Sequence, residues 1–374
     1  MAGTLSVLCG QLLVVGLTGL ELDGEERRAL GAGERGGVVL FRRNVGSGAE
    51  GLSGVRALNA AVMGACPREL PPLVAVDQEG GRVMRLGPPA MQLPPMRRLG
   101  DVDPSPNADL VRRVAEAQAR ELAALGFTMS FAPVADIHSR DDNPIIGDRA
   151  FATTPEGVAR LGGAWAEGLA RGGVLSCAKH FPGHGDTTVD SHLALPHVGR
   201  PRADLERLEV ASFRALAKNR AVDAMMTAHV VYSALDPEQP ATLSHAICTD
   251  LLRGKLGFPG VLFSDDLEMK ALTMPTGEAA VRAVRAGCDV LLVCSRADLA
   301  QVAHEALVHE AEKSATFRAR CEEAFERGIA MRRRVPPAPL ARDADLARIF
   351  AGSAPVTVEL ARRLEGRAAE ETSR

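Results

Sequence analysis

The densest group of reactive side chains lies in one segment, Lys179-His180-Phe181-Pro182-Gly183-His184-Gly185-Asp186-Thr187-Thr188-Val189-Asp190-Ser191-His192. Three histidines, two aspartates and a lysine fall within these fourteen residues. Asp190 and His192 stand two apart, a spacing that lets a carboxylate orient an imidazole and raise its basicity, so the pair is a candidate acid/base unit. Histidine and aspartate are also metal ligands, but neither a helical His-x3-His spacing nor a cysteine partner accompanies them. Gly183 and Gly185 would let the segment open and close. His184 and Asp186 read as shaping the loop rather than reacting.

Three further segments carry chemistry. In Val261-Leu262-Phe263-Ser264-Asp265-Asp266, an apolar strand delivers adjacent carboxylates. Neighbouring strand residues point to opposite faces, so one of the two aims at a pocket. Asp266 suits a helix N-cap ahead of the apolar stretch that follows, which leaves Asp265 to act as a nucleophile. In Val76-Asp77-Gln78-Glu79-Gly80-Gly81-Arg82-Val83-Met84-Arg85, Asp77 can accept two hydroxyl hydrogen bonds, and Arg85 can point its planar fork at the same ligand. Glu79 and Arg82 are expected to pair and brace the turn. The stretch Asn143-Pro144-Ile145-Ile146-Gly147-Asp148-Arg149 adds another arginine on a loop.

These residues need a frame that brings them together. Short apolar, β-rich runs recur at 12–17, 37–41, 73–77, 128–136, 173–180, 223–232, 260–266 and 288–294. Amphipathic helical patterns separate them, at 107–125, 155–171, 202–218 and 268–287 among others. Eight such units imply parallel strands covered on both faces, the count of a single (β/α)8 TIM-type barrel, although an open doubly wound sheet has the same local signature. Asp77, Asp136, Lys179, His180, Asp265 and Asp266 all fall at C-terminal strand ends, where barrel enzymes build their sites. His229, late in the sixth strand, reads equally as a pocket residue or a hydrogen-bonded core histidine. The barrel should occupy residues 1–334. Residues 335–374 follow a proline-rich break as a short C-terminal tail, helical over 356–369, packed on the barrel or partly loose.

Composition limits the function classes. Of 374 residues, 46% are hydrophobic and 24% charged, the balance of a globular chain with a large core. A net charge of −3 without a basic cluster argues against nucleic acid as a partner. Arg332, Arg333 and Arg334 form the only tight basic run, which reads as a solvated helix end. No apolar stretch reaches the roughly 20 residues that span a membrane. Residues 5–20 lack the charged start and the cleavage site of a signal peptide. The seven cysteines are odd in number and scattered in apolar runs, as reduced core residues are, so a cytoplasmic location is expected.

The four motifs VDQEGGRVMRL, IIGDRAF, KHFPGHGDTTVDSH and FSDDLEM, in this order along the chain, together resemble glycoside hydrolase family 3, in its bacterial β-N-acetylglucosaminidase branch of peptidoglycan recycling. The resemblance runs from the first strand to the last barrel helix. It implies Asp265 as nucleophile, His192 with Asp190 as the acid/base dyad, and Asp77, Arg85, Arg149, Lys179 and His180 as holders of the terminal sugar. No cofactor and no metal are implied, and the expected partner is a small muropeptide or another GlcNAc glycoside. The remaining readings are a family 3 β-glucosidase, an N-acetylglucosaminide phosphorylase, a metal-dependent hydrolase using the histidine loop, and a non-catalytic muropeptide sensor. One Trp and one Tyr in the whole chain suit recognition of a single sugar better than a long aromatic cleft.

Overall fold

The structure, a computed structural model, describes residues 4–191, 193–335 and 342–372. Eight parallel strands, β1 (Leu13–Gly16), β2 (Gly37–Leu40), β3 (Leu73–Val76), β4 (Met129–Ser130), β5 (Leu175–Phe181), β6 (Ala224–Thr227), β7 (Val261–Asp266) and β8 (Val290–Val293), close into a barrel. Each strand pairs with its successor, and β8 returns to β1 with Leu13 opposite Leu291. Closure excludes the open-sheet alternative.

Alternation along each strand divides the core in two. Val14, Val39, Leu73, Ala75, Met129, Phe131, Leu175, Cys177, Ala224, Met226, Val261, Phe263, Val290 and Leu292 form one buried cluster. Their neighbours, such as Val38, Val74, Ala178, Leu262 and Leu291, belong to a second cluster shared with the surrounding helices. Successive strand residues face opposite sides, so the first set plugs the barrel and the second binds its helical coat. The reactive residues continue the inward series: Leu73, Ala75, then Asp77; Leu175, Cys177, then Lys179; Val261, Phe263, then Asp265.

The helices start where local chemistry caps them. Thr154 accepts from Gly157 N at 3.2 Å and is followed by proline at the first turn of Pro155–Arg171. Asp23 and Glu26 form a reciprocal capping box on Gly24–Gly31. The helices Asp343–Gly352 and Ala354–Thr372 lie against Asp109–Ala124. Leu346, Val356 and Leu360 are buried there, Ser353 Oγ donates to Glu121 Oε1 at 2.5 Å, and Arg113 makes a two-pronged bridge to Glu359 at 2.7 and 3.0 Å.

Several boundaries differ from the sequence reading. The fourth strand ends at Ser130, because the chain then enters Pro133, which has no N–H for the ladder. The sixth ends at Thr227; Val231–Tyr232 instead joins a small outer sheet with His197–Val198 and Asp236–Pro240. The helix after β7 begins at Thr276, not 268. Asp266 therefore caps no helix; its Oδ1 accepts from Glu268 N and Cys294 N, tying a turn to the end of β8. The basic run is a solvated helix end only in part, since Arg333 and Arg334 are exposed and Arg332 is not. Arg332 is buried and donates to Gly36 O, Arg333 donates to Glu69 O, and Arg334 pairs with Asp223 at 2.7 Å. The seven cysteines are unbridged, and six are buried. No helix among the described residues is long and apolar enough to cross a membrane.

At the start of β8, Asp289 is completely buried and receives Arg253, Arg320 and Arg327 at 2.6, 2.5 and 2.6 Å, with Leu262 N at 2.9 Å. One carboxylate thus ties two helices and two strands at the base of the barrel. Asp289→Ala should lower stability by about 3 kcal/mol, because it removes the buried carboxylate shared by three arginines and leaves them only backbone carbonyls and Glu323 as partners. Urea denaturation measures this, and a loss below about 1 kcal/mol would show the arginines to be satisfied elsewhere.

Candidate active site

Six of the residues singled out from the sequence, Asp77, Arg85, Arg149, Lys179, His180 and Asp265, line one cavity of about 180 Å3 at the C-terminal mouth of the barrel. They come from four separate segments. The cavity floor is apolar, built from Val39, Phe131, Met226 and Leu292, the top of the barrel plug.

One wall is a buried ion network. Lys179 Nζ lies 2.8 Å from Asp77 Oδ1 and 2.7 Å from Glu79 Oε1. Arg149 clasps Glu79 through Nε and Nη2, both at 2.9 Å, and Arg85 Nη2 reaches Asp77 Oδ2 at 3.0 Å. Burial alone would raise both carboxyl groups. For Asp77 the charges of Lys179 and Arg85 win and hold it well below the usual range; for Glu79, Arg149 and Lys179 win and bring it to about 2. Lys179 stays charged for the same reason, since Asp77 and Glu79 outweigh its burial. Arg85 Nε is a buried donor with no hydrogen-bond partner among the described residues, so it is available to a ligand.

Glu79 is the residue that sequence reasoning misassigned. Its expected partner, Arg82, instead donates to the Pro144 and Ile145 carbonyls. The usable signal was its spacing from Asp77, since two residues apart on an extended chain share a face.

The second wall is the histidine loop, held by Asp136. This carboxylate is fully buried and accepts from His180 N, His184 N and the His180 ring, whose Nδ1 lies 2.7 Å away. Burial opposes its ionisation, but His180 more than compensates and keeps Asp136 low. His184 hydrogen-bonds Thr187 Oγ1 at 2.6 Å and Ser191 Oγ at 3.2 Å; burial, reinforced by the charge of His180, lowers it to about 4. His184 is therefore neutral at physiological pH, a brace that also lines the cavity together with Ser191. Asn143 donates to the His184 and Gly185 carbonyls, both at 2.9 Å. Asp190 lies half-buried next to Ser191, with its carbonyl receiving Leu193 N at 2.9 Å. His192 lies outside the described residues.

Opposite stands the end of β7. Both Asp265 and Asp266 line the cavity, contrary to strict alternation, because the pairing of β7 with β8 shifts register between Phe263 and Asp266. Asp266 N donates to Asp265 Oδ1 at 2.8 Å. Burial, then the neighbouring charges of Glu268 and Asp265, raises Asp266 to about 7. His229 is no pocket residue; fully buried, it bridges Thr242 Oγ1 at 2.7 Å and Asp266 O at 2.9 Å. Trp165 packs in the core against Phe151. Among the described residues no three His, Cys, Asp or Glu side chains converge as a metal site.

Asp265 and Asp266 thus stand with the ion network around one cavity at the barrel mouth. Residues 4–330 match the model of the glycosyl hydrolase family 3 N-terminal domain. The chain belongs to glycoside hydrolase family 3. It is similar to the β-hexosaminidase of Alkalilimnicola ehrlichii, 43% identical over 288 residues that cover 76% of this chain and 80% of that one. The β-hexosaminidase of Pseudomonas aeruginosa is 41% identical over 300 residues, 79% of this chain and 86% of its own. Among solved structures, the family 3 β-N-acetylglucosaminidase of Paenibacillus sp. FPU-7 has a TM-score of 0.85 at 36% identity, covering 95% of this chain and 69% of that one. NagZ of Neisseria gonorrhoeae, solved with N-trifluoroacetyl-D-glucosamine, has a TM-score of 0.78 at 32% identity, covering 94% and 97%.

The ion network gives this family 3 chain a defined acid response. Asp77 and Glu79 titrate lower folded than unfolded, where carboxyls ionise near pH 4. Their stabilisation is present above that pH and is lost as pH falls toward about 2. Urea midpoints measured from pH 5 to 2.5 should fall, and Glu79→Gln should flatten the slope; an unchanged slope would mean the network is not ionised.

Proposed function

We propose that the protein is a retaining exo-β-N-acetylglucosaminidase that removes terminal β-linked GlcNAc through a covalent glycosyl-enzyme on Asp265. The observation that carries this reading is the placement of Asp265 on the wall of a one-sugar cavity, facing charged groups suited to hydroxyls, in a chain at least 40% identical to enzymes named β-hexosaminidase. At about 180 Å3 the cavity is below the roughly 300–1,000 Å3 of drug-sized pockets, which suits one terminal residue of a glycan.

Asp77, Arg85, Lys179, Arg149 and His180 hold the terminal sugar. The Asp77 carboxylate and the Arg85 Nε supply acceptor and donor, while Glu79 and Asp136 fix the arginine, lysine and histidine in place. Asp265, ionised, attacks the anomeric carbon and displaces the leaving oxygen. His192, as imidazolium beside Asp190, gives that oxygen a proton. Water then attacks the glycosyl ester, His192 takes its proton, and Asp265 departs with the β configuration restored. The physiological substrates are GlcNAc-1,6-anhydro-MurNAc muropeptides of cell-wall recycling in the cytoplasm, a reading that the resemblance of the histidine loop supports.

Asp265→Ala should reduce turnover by about four orders of magnitude or more while sugar binding persists, as loss of a nucleophile does. A 2-fluoro amino-sugar trap followed by peptide mapping should place the ester on Asp265, and an ester elsewhere would overturn the assignment. His192→Ala should spare aryl glycosides with good leaving groups more than natural substrates, because they need less protonation; an equal loss on both would remove the acid role. Preference for a chromogenic β-glucoside over the N-acetylglucosaminide, or a requirement for phosphate, would replace the substrate reading.

A further inference from the structure

The histidine loop rests on a carboxyl group for which the sugar chemistry has no use. Glu209 opens the helix Glu209–Lys218 and has no exposed surface. Its Oε1 accepts from Ser139 Oγ at 2.7 Å, and its Oε2 has no hydrogen-bond partner among the described residues. The loop backbone passes directly over that oxygen. A Cβ built on Gly183 would stand 2.6 Å from Glu209 Cβ and 2.8 Å from Oε2, and one on Gly185 would stand 3.1 Å from Oε2. Gly183 also has φ +135°, which side-chain-bearing residues avoid. These glycines permit a close seat on Glu209.

No cation touches Glu209 among the described residues. The charged and titratable groups that face it are Asp136, ionised beneath the loop against His180; Asp186, held by Arg200 at 2.6 Å; Arg200 itself; neutral His184; and Tyr232, whose hydroxyl donates to Gly183 O at 2.6 Å. Burial, opposed by the Ser139 hydrogen bond and reinforced by Asp136, pushes the carboxyl up to about 7. Ionised in this seat, it would hold an unsolvated oxygen against the charge of Asp136, which Arg200 offsets only in part; displacing the loop would admit water and relieve that cost.

We infer that Glu209 is a positioning residue for the acid/base loop: uncharged, it seats Gly183 and Gly185, and ionised, it releases them, so presentation of Asp190 and His192 is proton-linked. This rests on the catalytic role proposed for that loop. The sign follows from linkage. A carboxyl raised in the seated state and ordinary, near 4.3, in the released state favours the seat at low pH. The advantage declines as pH rises from about 4.5 to about 7 and is constant above.

Amide hydrogen exchange of the full chain tests this without substrate. After correction for intrinsic rates, protection of 183–191 should fall about tenfold or more between pH 5 and 7.5 in the wild type and stay flat in Glu209→Gln. Ser139→Ala, which removes a donor to the ionised form, should move the upper end of the transition to higher pH, and it serves if Glu209→Gln does not fold. A flat wild-type profile, a Glu209→Gln profile as steep as wild type, or an unmoved Ser139→Ala transition overturns the inference. Because exchange is read without turnover, a pH-dependent seat alongside a fully active His192→Ala variant would overturn only the catalytic reading of the loop.

Discussion

Lys179 sits between Asp77 and Glu79, almost wholly out of water, and the active face is organised around the need to balance that charge. An isolated buried ammonium would lose its proton or draw in solvent; two carboxylates at 2.7–2.8 Å prevent both. The requirement then propagates. Glu79 also binds Arg149, on the loop after β4, and Asp77 binds Arg85, farther along the segment after β3, so charge pairing fixes the relative positions of β5 and the segments after β3 and β4. A site assembled this way is preorganised: its dipoles and charges are in place before a ligand arrives, and little reorganisation is needed when charge develops on the sugar.

The barrel makes such a network affordable. Its interior below the site is filled by apolar residues from all eight strands, which keep water from reaching the ions from beneath. The same period of two that packs the plug carries the chain upward until the inward positions become Asp77, Lys179 and Asp265. Fold and site are therefore one pattern read at two heights, and a one-residue slip in any of these strands would exchange a catalytic candidate for a core residue.

Asp136 plays the corresponding part for the histidine loop. It accepts two backbone N–H groups and an imidazole, which orients His180 and anchors the loop's first turn. Farther along, the loop is held by the Tyr232 hydroxyl, the Asn143 amide, the Arg200–Asp186 pair and contact with Glu209.

Much was legible in the sequence because it is local. The eight apolar runs, their parallel arrangement and the position of Asp77, Lys179 and Asp265 at strand ends follow from periodicity. The four motifs carry the family. What lay beyond sequence was every partnership across the barrel mouth. Glu79 had a plausible neighbour in Arg82, and nothing in the sequence indicates that Arg149, seventy residues away, would claim it instead. Asp266 looked like a helix cap because the turn that delays the helix to Thr276 depends on β8 lying alongside. Glu209 drew no notice within an amphipathic stretch, and only packing reveals that the loop lies over it. Side-chain periodicity is dictated by the backbone and can be read one residue after another; charge pairing is dictated by distance in space, which exists only once the barrel has closed.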